Sequence, residues 1–87
     1  MGDWLSDLAD VLEQAEVSRA EERAVLRFAR DVAHGIERRL APLSAYAVGV
    51  YVGRRTTQGA AAGEALHEAI AAAATIIPGS AGEQDHI

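Results

Sequence analysis

The chain has 87 residues, no cysteine and a formal net charge of −5. A chain of this size makes one domain and buries only about 60–65% of the surface that its unfolded form exposes, and the lack of cysteine excludes disulfide staples, thiolate chemistry and zinc sites built on sulfur. The charge is blocked: residues 1–16 carry five acids and no base, 17–55 carry eight arginines against four acids, and 56–87 carry four acids and no base.

Such blocks point first to internal complementarity, with acidic outer helices flanking an arginine-bearing inner one. A phosphate backbone would repel the acidic chain, which makes nucleic acid the weaker partner. Every base is arginine and none is lysine, which together with the alanine content fits a GC-rich genome. No apolar run reaches the ~20 residues of a membrane span. The acidic first sixteen residues are the opposite of a positive signal-peptide start, so the cytoplasm is the expected compartment.

Helix 1 is predicted from about Asp3 to Ala15, with Asp3 as N-cap. Trp4, Leu8, Val11, Leu12 and Ala15 form one apolar stripe opposite Asp7, Asp10 and Glu13, the pattern of a surface helix whose tryptophan belongs to the core. Ser18 with Glu21 three residues on makes a capping box, so helix 2 starts there and is predicted to run to about Leu40. Its buried stripe is Val25, Phe28, Ala29, Val32, Ile36 and Leu40, widened by Leu26 and Ala33. Gly35 inside it implies a bend or the close approach of another backbone.

Pro42 is expected to end helix 2, and Ser44 to cap a third helix from about Ala45. Residues 45–53 favour a strand by propensity, yet the chain offers no partner strand, so they are predicted to be helical and the most enclosed element. Ala45, Gly49 and Gly53 form a small-residue ridge suited to a close helix contact. Residues 54–59 read as a loop. Helix 4 is predicted over Ala60 to Ile77, stopped by Pro78-Gly79, with a mobile tail beyond.

One face of helix 2 gathers Arg23, Arg27, Arg30, Asp31, His34 and Arg38, with Asp31 spaced for ion pairs to Arg27, His34 and Arg38. The plain reading is a solvated face; the functional reading is a docking or anion-binding surface built on Arg27, Arg30, Asp31, His34 and Arg38. Catalysis ranks last, because a His-Asp pair on one helix has no nucleophile in reach. No nucleotide fingerprint or metal-binding helix motif occurs, and three scattered histidines make a poor ligand set. No catalytic, cofactor-binding or metal residue is therefore expected.

Residues 26–38, LRFARDVAHGIER, followed by Ala41-Pro42-Leu43-Ser44-Ala45-Tyr46 and the glycine-spaced apolar helix to Gly53, resemble an actinobacterial family of small helical domains of unknown function (DUF6457-like). Asp3-Trp4-Leu5 is similar to the opening of that family's acidic first helix. The likeness covers about residues 3–77 and is most specific over 29–44; Arg39-Leu40 stands where the family tends to have Pro-Ala, implying a different bend between helices 2 and 3. The family is found alone or as the C-terminal tail of molybdenum cofactor guanylyltransferase, which joins a nucleotide to molybdopterin.

The expectation is an all-α, compact four-helix bundle over residues 1–78 with a disordered tail over 79–87. The resemblance implies a non-enzymatic accessory or interaction domain associated with molybdenum cofactor (molybdopterin guanine dinucleotide) biosynthesis, binding a protein partner or a second copy of itself. The alternative is a small helical DNA-binding regulator; an enzyme using His34 ranks below it.

Overall fold

The structure, a computed structural model, describes residues 2–78; the tail expected over 79–87 lies outside them. Four helices follow one another, α1 (Gly2–Leu12), α2 (Arg19–Gly35), α3 (Leu40–Thr57) and α4 (Ala62–Ala74). No strand occurs among the described residues, so the chain is all-α, as its periodicity predicts.

The start of α2 forms as read from the sequence. The Ser18 hydroxyl accepts from the Glu21 amide at 3.1 Å, and the Glu21 carboxylate accepts from the Ser18 amide at 2.9 Å. Its end differs, because α2 stops at Gly35 and not at Leu40. A Cβ on Gly35 would lie 2.8 Å from the Pro78 carbonyl oxygen and 2.9 Å from Ile77 Cγ2. The close approach inferred for this glycine is real, and it falls where the segment after α4 crosses the end of α2. Ile36 and Glu37 both donate to the Val32 carbonyl, and the chain turns through residues 36–39 into α3.

Pro42 is therefore not a terminator. It is the third residue of α3, where a missing N–H is one the helix leaves unpaired in any case, and Ser44 lies within the helix and does not cap it. The far end of α3 also departs from expectation, since residues 54–57 are helical and not a loop. Thr56 and Thr57 keep their hydroxyls occupied by donating to the Gly53 carbonyl, each at 2.9 Å. The turn comes at Gln58-Gly59, with Gly59 at φ 101°, a conformation open to glycine and strained for other residues. Helix α4 is shorter than predicted, although Ile77 beyond it stays buried.

Phe28, Val32, Val48, Leu66 and Ile77 form the core, with Val25, Leu40, Val52, Ala69 and Ile70 packed around them. Helix α3 packs against both α2 and α4, so its central place is as expected. It is not the most enclosed element: only Val48 is buried, while Tyr46 and Val50 are exposed. The Gly49–Gly53 ridge makes no close contact, for a Cβ at either position would meet nothing within 4 Å. Leu26 and Ile36, placed in the buried stripe by periodicity, are exposed as well.

Helix α1 stands apart from this core. Among residues 4–12 none belongs to the core cluster, Ala9 is buried and Leu5 and Leu8 are half-buried. Trp4 is 65% exposed, Val11 77% and Leu12 53%, so the tryptophan is not a core residue. Asp3 falls inside the first turn of α1, which begins at Gly2, and not at the N-cap position expected for it. The helix ends at Leu12 in a Schellman turn: Gln14 donates to the Ala9 carbonyl, Glu13 donates to that of Asp10, and Glu13 takes φ 55°.

Candidate functional site

The polar face of α2 survives in part. Arg23, Arg27, Arg30 and His34 are exposed and Asp31 is half-buried, whereas Arg38 lies in the turn after α2 because the helix ends three residues earlier. The expected pairs of Asp31 with Arg27, His34 and Arg38 do not form. Among the described residues the ion pairs are Arg39 with Glu37, at 3.5 Å, and Arg55 with Glu68, at 3.2 Å. The α2 arginines thus point their guanidinium groups at solvent. Arg23, Arg27 and Arg30 line one shallow hollow with Leu26, itself 61% exposed, so an apolar side chain sits beside three cations that have no ion pair among the described residues.

Beside this patch runs a groove of about 400 Å³ between α2 and α4. Its floor is Ala24, Phe28, Leu66 and Ile70, with Ala20 and Gly63 at one end; Glu21, Arg27 and Asp31 edge it on α2, and His67 on α4. The groove follows from topology. Ala20 and Gly63 share one end, and Gly35 meets Ile77 and Pro78 at the other, so α2 and α4 run parallel and both lean on the antiparallel α3. Small residues on the facing sides leave the seam between them open. Of the predicted site residues it gathers Arg27 and Asp31.

The seam between α3 and α4 is closed by a cluster that sequence reasoning missed. Glu68 on α4 accepts from Tyr51 Oη at 3.1 Å and from Arg55 at 3.2 and 3.4 Å through its two carboxylate oxygens, a forked guanidinium–carboxylate pair. Arg55 also donates to Gln58, and the Arg54 guanidinium lies 5.7 Å from the Tyr51 ring centre. The hydrogen bonds from Arg55 and then Tyr51 hold the Glu68 carboxyl below the usual glutamate range, and Glu68 raises Arg55 in return. Tyr51 and Arg55 are spaced i, i+4, a signal hidden by reading residues 54–59 as a loop. Among the described residues no group of three or more His, Asp or Glu side chains is placed to hold a metal ion, and no helix is long and apolar enough to cross a membrane.

Residues 1–85 match the family described as a domain of unknown function, DUF6457. The chain belongs to that family. Neither the curated proteins nor the solved structures contain a match to it.

Proposed function

We propose that this chain is a non-enzymatic interaction domain that binds an acidic partner protein through the arginine face of α2. The observation that carries this reading is Leu26 exposed within Arg23, Arg27 and Arg30, none of which has an ion pair among the described residues. Arginine on a rigid helix presents a fixed fork to carboxylates at low reorganisation cost, and an apolar centre with a cationic rim is the composition of a binding hot spot. A DNA-binding role is favoured less, because the chain is acidic overall and its cationic patch spans a single helix. Ser18, a hydroxyl that catalysis would require, is held in the capping box.

The resemblance of residues 29–44 to domains that also occur on molybdenum cofactor guanylyltransferase makes that enzyme the first partner to test, with the domain as an accessory to cofactor maturation. The test is titration calorimetry of the chain against that enzyme from the same source at low and high salt. Binding that weakens with salt and is lost in the double variant Arg27→Glu, Arg30→Glu, with helicity unchanged, is the expected result. No heat of binding at low salt overturns the assignment of partner. Tight binding to duplex DNA in a parallel anisotropy titration would favour the regulator instead.

A further inference from the structure

We infer that the acidic partner received by the arginine face of α2 is helix α1 of a second copy of this chain, which rests on the reading of that face as a protein-binding surface. The two surfaces are opposite in charge and both are left open. Residues 1–16 carry five acids and no base, and 17–55 carry eight arginines against four acids. Among the described residues, however, no ion pair joins α1 to α2; the pairs present are Arg39 with Glu37 and Arg55 with Glu68. The opposite charges of these two helices are therefore unmet within one molecule.

Helix α1 turns its Leu5, Leu8 and Ala9 side inward and leaves Trp4, Asp7, Asp10 and Val11 exposed. At ~100° per residue these four follow one another round the helix in the order Asp10, Asp7, Val11, Trp4, an acidic line beside an apolar one. In the same sense of rotation the exposed side of α2 reads Leu26, Arg30, Arg23, Arg27, an apolar side chain followed by cations, and these four line one hollow. Glu22 lies beyond Leu26, away from the arginines and outside that hollow. When two helices lie face to face and parallel, one sense of rotation runs upward on one and downward on the other. The acids then meet the arginines, and Val11 and Trp4 meet Leu26. An antiparallel pair would set the acids on Leu26 and the arginines on Val11 and Trp4.

Only residues 13–18 link α1 to α2, and helices joined by a short loop pack antiparallel. A molecule's own α2 thus offers α1 the mismatched direction, whereas a second copy is free to dock in parallel. Each molecule holds one acidic helix and one arginine face, so two copies joined reciprocally use both in a closed pair. Exposed ion pairs are weak singly, so the charges set direction and partner while Trp4 and Val11 against Leu26 supply the apolar burial. Pairing occupies the arginine face, and an outside acidic protein has to displace α1 to reach it.

The experiment is sedimentation equilibrium on the full chain and on two charge-reversed variants at exposed positions, Asp7→Arg with Asp10→Arg on α1 and Arg27→Glu with Arg30→Glu on α2, with helicity checked by circular dichroism. The wild type is expected at twice the 9.2 kDa chain mass and to dissociate as salt is raised, and each variant alone at the mass of one chain. Mixed in equal amounts, the variants are expected to return to the mass of a pair, because one contact then has both charges reversed and the other has both native. A wild type at the mass of one chain overturns the inference, as does a pair that survives either reversal alone, or variants that stay single when mixed. A monomeric wild type leaves the reading of the face itself intact, since that reading fails on a separate result, an outside acidic protein whose binding is indifferent to Arg27→Glu with Arg30→Glu.

Discussion

The two seams made by α4 differ in kind. Against the antiparallel α3 it closes over Val48, Val52, Leu66 and Ala69 and is bridged at the surface by Tyr51, Arg55 and Glu68; against the parallel α2 it touches at one end, where Ile77 and Pro78 cover Gly35, and stays open along the other. Helices joined by a short turn pack side by side, and α3 and α4 have only residues 58–61 between them. Helices α2 and α4 meet through α3, so nothing local draws them together.

The sharpest way to break the comparison is at Phe28, which is 4% exposed and lines both the groove and a second hollow of about 220 Å³ toward Ile77. It is the one large side chain under the whole open seam. Phe28→Ala is expected to cost about 3–5 kcal/mol, enough to unfold much of a domain this small. Urea denaturation followed by circular dichroism checks it, and a midpoint within error of wild type would mean that the seam is not supported from beneath.

Gly35 tests the one point where α2 and α4 do meet. Gly35→Ala is expected to destabilise by about 1–3 kcal/mol, because the added Cβ falls within 3 Å of the Pro78 carbonyl and Ile77 and the backbone contact has to open. The gain in helix propensity, up to about 1 kcal/mol, does not offset it. Gly49 on α3 is the control. It faces open space, so Gly49→Ala is expected to stabilise by about 0.5–1 kcal/mol. The same denaturation series reads both, and two shifts of one sign would remove the distinction between them.

These two glycines also show how far the sequence carries. A glycine inside a helical pattern signals a possible close approach, and the signal was right for Gly35 and wrong for Gly49, because the pattern does not say which side of the helix is covered. Elements were legible wherever the information was local: the capping box at Ser18 and Glu21, the helical reading of residues 45–53, and the core positions Phe28, Val32 and Leu66. Helix ends were less so. Pro42 reads as a stop and as a first-turn residue equally well, and the contact of Ile77 with Gly35 is 42 residues away in the chain. The stripe of α1 was legible as a stripe, but periodicity tells that a face is apolar and not what lies against it. The arginine face was found by spacing alone; the Tyr51–Arg55–Glu68 cluster was missed because it joins two helices across a turn whose position was misplaced.

The smallest expected effect concerns that cluster. Arg55 and Tyr51 hold the Glu68 carboxyl below its ordinary range in the folded chain, so the folded state binds a proton there less readily than the unfolded state does. The resulting stabilisation is present at neutral pH and is lost as the pH falls below the usual glutamate value, about 4.3, through the lower folded one. The raised Arg55 has no counterpart in this window, since arginine stays charged throughout it. With the Glu68 side chain 42% exposed, solvent screens the pair and keeps its contribution small. Glu68→Gln is therefore expected to lower stability slightly at neutral pH, to converge with wild type in acid, and to leave the groove between α2 and α4 undisturbed. Thermal melts of both proteins across the acid range check the convergence. A difference that persists unchanged at low pH would show that Glu68 holds the α3–α4 seam by packing and hydrogen bonding alone, and that closure of that seam does not depend on charge.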